Sequence, residues 1–331
     1  MKWVYKTAFG LLVAVTMAAA AGSLYLYSRV NSINTTERYE FRNYPEFYFS
    51  LIFNTQDDIY WKEFKEGATD AAKLFNVAVE FNEVPGPESK AKIVEYINIA
   101  VQSKMDGIIV TGESTEEYNE AVRQAVESDI NVLVGKYNAL ESDRVAEVGT
   151  NSYEYGADAA KLILELEKEE EDSIDLAIIL SEDFVQDDAM NPSQNMITGI
   201  SKKPINIVST SYGKSGLLGA EDRIRTTLTE HPDIDVILCT NAKDTISAVN
   251  VIRERNLVGK VEIVGTGMTE QIIDYIKKGV IFGVIDRKGY EAGYESVKAL
   301  YQSMGGTFSN KFMDINTNTY TAENISSYVK P

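Results

Sequence analysis

The residue types that most often carry out enzyme chemistry are scarce in this chain. Its 331 residues include one histidine, His231, and one cysteine, Cys239. A zinc site built on several histidines is therefore excluded, and so are an internal disulfide and a cysteine cluster. His231 stands in Glu230-His231-Pro232-Asp233, which is typical of a surface turn that ends a helix. The sequence therefore predicts neither a metal site nor a nucleophile activated by histidine.

Two glycine-containing segments resemble phosphate-binding loops only in part. Gly213-Lys214-Ser215 has the end of a P-loop, but Val208 stands where that motif requires glycine. Gly265-Thr266-Gly267-Met268 follows an apolar run but lacks the third glycine and the later acidic residue of a dinucleotide site. No Gly-x-Ser-x-Gly nucleophile motif occurs in the chain. We therefore expect no cofactor, no catalytic residue and no enzyme activity.

Acidic residues are abundant, and pairs of carboxylates could act as the general acid and base of a glycan hydrolase. The chain has 50 acidic and 32 basic residues, a formal net charge of −18, so adjacent acids are expected by chance. Asp57-Asp58 differs from the other pairs because it follows an apolar run and precedes two aromatic residues. A hydrolase that uses such pairs stays open as an alternative. The negative charge opposes binding to nucleic acid or to an anionic membrane surface.

The N-terminal segment predicts the compartment. Lys2 and Lys6 precede residues 7–28, which include no charged side chain, and Arg29 ends this stretch. A helix of about 20 such residues spans a bilayer, and N-terminal lysines favour an N-inside orientation. We expect residues 1–30 to be a transmembrane anchor that places the body at the extracytoplasmic face of the cell membrane. A cleaved signal peptide, which would leave the protein in the periplasm, stays open as an alternative.

Beyond a polar linker at residues 31–46, short apolar runs alternate with segments of helical periodicity. Runs of this length predict parallel strands that are buried on both faces by helices. The pattern begins again after about residue 150, so the sequence predicts an α/β fold with two doubly wound Rossmann-like lobes. Because ligands bind beyond the carboxyl ends of such strands, we expect a site in the cleft between the lobes. The runs are 47–53, 77–81, 107–110, 132–134, 176–180, 205–208, 236–239, 261–264 and 281–285.

Several segments in the same order resemble type I periplasmic sugar-binding proteins. The likeness is greatest to the ribose-binding type, a family related to the effector domain of LacI-type repressors, and it spans roughly residues 47–325. It implies two lobes with parallel sheets, joined by a three-strand hinge, that close on a ligand. It also implies an N-terminal lobe of residues 47–148 and 287–314 and a C-terminal lobe of residues 149–286 and 315–331. The matching segments are 57–68, 130–134, 230–241, 261–265 and 276–279.

The resemblance implies a set of ligand-binding residues. Tyr60 and Trp61 fall on the aromatic residues that sandwich a sugar ring, and Asp58 falls on a position that binds hydroxyl groups. Each has a structural alternative: the aromatic residues could start the buried face of the first helix, and Asp58 could cap that helix. Asn241 matches an asparagine at a strand end of the second lobe. Arg287 stands where ribose-like members carry a hinge glutamine.

Other positions depart from the family pattern and put a simple pentose ligand in doubt. Lys136 and Tyr137 replace an Asp-Arg or Asp-Ser pair, and Asn195 stands close to the position of a family arginine. Ala242 and Gly267 replace two acidic residues. With Arg287, Lys136 adds positive charge, so we expect a more cationic cleft that suits a modified, anionic or non-sugar ligand. A degenerate binding module that a partner regulates is the alternative.

These observations favour an extracytoplasmic solute-binding protein that captures a small sugar-like ligand. Its partner would be an ABC permease that receives the solute or a membrane histidine kinase that senses lobe closure, and an uncleaved anchor favours the kinase. A DNA-binding repressor is disfavoured, because an uncharged stretch stands where a basic helix-turn-helix would be needed.

Overall fold

The computed structural model describes the larger part of the chain. An N-terminal unit, residues 1–44, and a body, residues 45–331, are separate units. In the described part of the N-terminal unit, residues 16–17 and 20–25 are helical. No helix among the described residues is both long and apolar enough to cross a bilayer. Most of the predicted anchor and most of the predicted linker lie outside the described residues, which are 16–17, 20–25, 44–54, 59–84, 89–113, 115–135, 146–150, 152–166, 173–180, 194–195, 197–199, 204–212, 217–306 and 312–330.

The body is built on two six-stranded sheets with the same strand order. The strands are β1 Phe47–Asn54, β2 Val77–Val84, β3 Gly107–Thr111, β4 Asn131–Gly135, β5 Ala146–Gly149, β6 Ile174–Leu180, β7 Ile205–Tyr212, β8 Val236–Cys239, β9 Glu262–Thr266, β10 Gly283–Asp286, β11 Phe312–Asp314 and β12 Asn318–Thr321. The first sheet has the order β11-β5-β4-β3-β1-β2 and the second the order β12-β10-β9-β8-β6-β7. The described pairings are parallel except that of β10 with β12. The predicted α/β fold with two parallel-sheet lobes is confirmed.

Helices cover both faces of each sheet, which is why the strand sequences are apolar without alternation. In the first sheet, Ile109 and Leu133 face one core, whereas Ile108 and Val132 face a second core on the opposite side. The second sheet is divided in the same way between two cores. The α-helices of the body whose bounds the structure describes are α1 Ile59–Leu74, α2 Ser89–Gln102, α3 Glu116–Glu127, α4 Ser152–Leu164, α5 Leu217–Glu230, α6 Ala242–Glu254, α7 Glu270–Lys277 and α8 Gly289–Met304.

Among the described elements, the chain passes between the two sheets at three places: between β5 and α4, between β10 and α8, and between β11 and β12. At the second crossing Lys288 has a left-handed φ of +51°, and its backbone N–H donates to Asp286 Oδ1 at 2.9 Å. At the third, the Thr317 hydroxyl donates to the Asp158 carboxylate of α4. These crossings bring the carboxyl end of β10 to the base of the cleft between the sheets.

Helix α8 returns from the second crossing and packs directly on α1. A Cβ atom at Gly293 would overlap the carbonyl group of Phe64, and one at Gly67 would overlap the carbonyl group of Tyr290. The two backbones therefore touch, and only glycine fits at either position. Phe75, which directly follows α1, stacks on Tyr301 of α8 with 5.0 Å between ring centroids.

We predict that Gly293→Ala lowers the free energy of unfolding by about 1–3 kcal/mol, because the added methyl meets backbone that cannot rotate away. Urea unfolding monitored by circular dichroism measures the change. Gly199→Ala is the matched control, since a Cβ at that exposed helical glycine meets nothing within 4 Å. Equal stability of the Gly293 variant and the wild type would contradict the backbone contact.

Candidate ligand-binding cleft

Residues of both lobes line a small cavity beside the second crossing. They come from the first turn of α1, from the carboxyl ends of β8, β9 and β10, and from the start of α6. This is the edge at which doubly wound sheets bind ligands. The cavity leaves room for about one water molecule, so the lobes are close together here. The described lining residues are Ile59, Tyr60, Glu63, Thr240, Asn241, Ala242, Thr266, Gly267, Asp286, Arg287 and Lys288.

Arg287 is the buried cation of the cleft. Arg287 is only 7% exposed, and its guanidinium carbon lies 5.1 Å from the centroid of the Tyr60 ring. A guanidinium above an aromatic face is stabilised by the ring quadrupole, and more so away from water. Nearby, burial raises the pKa of Tyr155 to about 12, although the charge of Arg287 and a hydrogen bond with Thr266 oppose the rise. The geometry thus provides a fixed cation beside a flat ring.

Two carboxylates, Glu63 and Asp286, share the cavity with the cations of Arg287 and Lys288. Burial raises the pKa of Asp286 above its ordinary value, while the backbone N–H and the charge of Lys288 oppose this. Burial also raises the pKa of Tyr328, and the charges of Glu63 and Asp286 add to that effect. In the described lining two cations thus stand with two carboxylates, and because Lys136 lies outside the described residues, the expected excess of positive charge stays a prediction.

Asn241 is held in place by Asp244. Its Oδ1 accepts the Asp244 backbone N–H at 2.8 Å, which caps the N-terminus of α6, and its Nδ2 donates to Asp244 Oδ2 at 2.9 Å. Arg223 Nη2 lies 3.5 Å from the other carboxylate oxygen of Asp244. Asn241 therefore lines the cavity in one fixed orientation and performs a structural role as well.

The predicted site residues separate into those that line the cavity, those that are described but are not among its lining residues, and those that lie outside the described residues. Tyr60, Asn241 and Arg287 are brought together at the cavity. Trp61 is 3% exposed, stacks on Phe53 with 5.0 Å between centroids, and is not among the described lining residues. Its position agrees with the structural alternative, so a ligand-binding role for Trp61 stays a prediction.

Asn195 is exposed in a helical stretch and is likewise not among the described lining residues. Asp58, Lys136 and Tyr137 lie outside the described residues. Their assignment to the ligand site stays a prediction as well.

Sequence reasoning missed several lining residues: Ile59, Glu63, Thr240, Thr266, Asp286 and Lys288. Thr240, Thr266 and Asp286 stand at or directly after the carboxyl end of a strand, and Thr240 immediately precedes Asn241. The rule that ligands bind beyond strand ends would have identified these positions. Glu63 carries no such signal, because only the packing of α1 turns its side chain toward the second crossing.

Comparison with known proteins identifies the class that this fold and cleft define. The family profile described as a periplasmic binding protein domain matches residues 49–307. The chain therefore belongs to the periplasmic binding protein family. Its relatives are solute-binding proteins and not enzymes, so the hydrolase interpretation is excluded.

Three individual proteins illustrate the similarity. The ABC transporter periplasmic-binding protein YphF of Escherichia coli K12 is 24% identical over 258 residues, which are 74% of this chain and 76% of YphF. A solute-binding protein of Burkholderia graminis in complex with D-arabinose superimposes with a TM-score of 0.78 at 22% identity, covering 87% of this chain and 99% of that one. The XylFII-LytSN complex gives a TM-score of 0.72 at 24% identity, covering 83% and 98%.

We predict that Asp286→Asn raises the free energy of unfolding at about pH 7 and that the gain vanishes at about pH 3.5. The folded-state pKa of Asp286 lies above its ordinary 3.8, so folding disfavours the charged form. The resulting destabilisation is present above the folded-state pKa and absent where both states are protonated. Urea unfolding at the two pH values measures it. Asp70→Asn is the control and should show no gain, because the pKa of exposed Asp70 is lowered by Lys73. A gain that is equal at both pH values would contradict the assignment.

Proposed function

We propose that the chain is an extracytoplasmic receptor that captures a small sugar-like solute between its two lobes. The observation that carries the proposal is the pairing of Arg287 with the Tyr60 ring at the base of the cleft, beside Glu63 and Asp286. A sugar presents apolar C–H faces and polar hydroxyl edges, so it needs flat rings and charged hydrogen-bonding groups in one site. The arabinose complex of the Burkholderia graminis protein supports this ligand class.

Binding and lobe movement are coupled in this proposal. Tyr60 belongs to the N-terminal lobe, Asn241 belongs to the C-terminal lobe, and Arg287 lies on a crossing between them. A solute that contacts all three favours the closed arrangement over the open one. Closure transmits a signal only if the solute binds the closed arrangement more tightly than the open one.

The partner is an ABC permease or a membrane histidine kinase. The name of the relative YphF supports the permease, whereas the complex of XylFII with LytSN supports a receptor that assembles with a second protein. We favour the sensor, because an uncleaved N-terminal anchor would hold the receptor beside a membrane kinase. Affinity capture of the tagged full chain from membranes, followed by mass spectrometry, separates the two: a permease subunit would contradict the sensor.

We predict that at least one sugar, sugar phosphate, polyol or furanone raises the melting temperature of the full chain in a mild detergent. A ligand at about 100 times its dissociation constant adds about 2.7 kcal/mol to the free energy of unfolding. Arg287→Met should abolish the shift at the same ligand concentration, because it removes the buried charge. Arg253→Met is the matched control, since that exposed arginine lies 5.8 Å from the Tyr275 ring, away from the cleft. If no compound shifts the melting temperature, the degenerate, partner-regulated module replaces the receptor.

We predict that the full chain stays in the membrane fraction after a high-salt wash and is released only by detergent. The 22 uncharged residues at positions 7–28 are long enough to span a bilayer as a helix. A variant in which a cleavable export signal replaces residues 1–30 should appear in the soluble fraction. N-terminal sequencing of the mature protein completes the test: a start within residues 18–30 would show cleavage and contradict the anchor.

A further inference from the structure

One part of the cleft is apolar, and residues of both lobes form it. Ile59, the first residue of α1 in the N-terminal lobe, packs against the core of the C-terminal lobe. A Cβ atom added at Gly267 would lie 3.1 Å from Cγ2 of Ile59 and 3.0 Å from Cβ of Ala242. We call Ile59, Ala242 and Gly267 the apolar patch.

The backbone conformation at Gly267 disfavours any side chain at this position of the patch. Gly267 has a φ of +93°, a region in which side chains are strained, and a Cβ there would crowd both neighbours. Its N–H donates to the Ile285 carbonyl oxygen at 3.2 Å. The N–H that could otherwise face a ligand is therefore already used within the sheet.

The polar side chains around the patch are also already paired within the protein. The Thr266 hydroxyl lies 2.8 Å from the Tyr155 hydroxyl, and both groups are buried. The Asn241 amide is bound to Asp244, as described above, and the Thr245 hydroxyl donates to the Asn241 carbonyl oxygen at 2.7 Å. A ligand hydroxyl placed on the patch would therefore lose water and find most of this hydrogen-bonding capacity already used, which leaves chiefly the second amide hydrogen of Asn241.

We propose that the apolar patch makes the cleft selective for deoxy sugars. A methyl or methylene group of the solute lies on Ile59, Ala242 and Gly267, and its hydroxyl groups face the charged side chains of Glu63, Asp286 and Arg287. This inference rests on the proposed function, since it specifies which sugar the same cleft takes. A ligand hydroxyl that is buried without a hydrogen-bonding partner lowers the affinity by about 10- to 100-fold.

Isothermal titration of the full chain in a mild detergent tests the proposal with matched sugars. The pairs are L-fucose with L-galactose, L-rhamnose with L-mannose, and 2-deoxy-D-ribose with D-ribose. In at least one pair the deoxy sugar should bind about 10-fold more tightly than its parent. Parents that bind as tightly as the deoxy sugars, or more tightly, overturn this inference alone. If the wild type binds none of the six and no other sugar from the thermal panel, sugar binding and this inference both fail.

A variant pair assigns the selectivity to the patch. Ile59→Thr preserves the branched shape and adds a hydroxyl, so the affinity ratio between deoxy sugar and parent should fall to about 2-fold or less. Ile273→Thr makes the same change at a half-buried isoleucine that packs on the same core but does not line the cavity, and it should leave the ratio unchanged. A ratio that is the same in Ile59→Thr as in the wild type overturns the role of the patch.

Discussion

The backbone contact between α1 and α8 determines the geometry of the cleft. The two helices belong to distant parts of the chain, yet Gly67, Gly289 and Gly293 allow no side chain between them. Tyr60 lies in the first turn of α1, and Arg287 lies two residues before α8 begins. Because glycine at these positions lets the two backbones approach this closely, the first turn of α1 lies beside the segment that precedes α8. The cation–π pair of the cleft is thus a consequence of helix packing.

The buried charged side chains beside this contact have partners within the protein. A charge that leaves water needs a partner, or its charged form is disfavoured. Arg287 has the Tyr60 ring, and Asp286 has the backbone N–H of Lys288. Burial nevertheless raises the pKa of Asp286, so the folded protein accepts an energetic cost at this crossing. Costs of this kind often mark functional sites, and here the cost falls on a segment that joins the two lobes.

The cleft combines two kinds of surface that the chain brings together from separate segments. The charged side chains come from α1, from the last residue of β10 and from the crossing that follows it, whereas the apolar patch joins Ile59 to residues that follow β8 and β9. Both kinds meet at the carboxyl ends of parallel strands, the edge at which doubly wound sheets bind ligands. A solute that bridges the lobes must therefore satisfy both surfaces at once.

The sequence by itself determined the α/β class, the repeat of two lobes and most strands, because buried parallel strands need apolar runs that are visible without an alignment. It missed β5, β11 and β12, which have four residues or fewer and no apolar run, and which are held by their neighbours in the sheet. For the site, the resemblance supplied Tyr60, Asn241 and Arg287. Only the tertiary structure showed that Trp61 stacks on Phe53 and that Ile59 reaches the other lobe. These contacts join side chains of different elements of the fold, and local sequence patterns carry no record of the directions in which such side chains point.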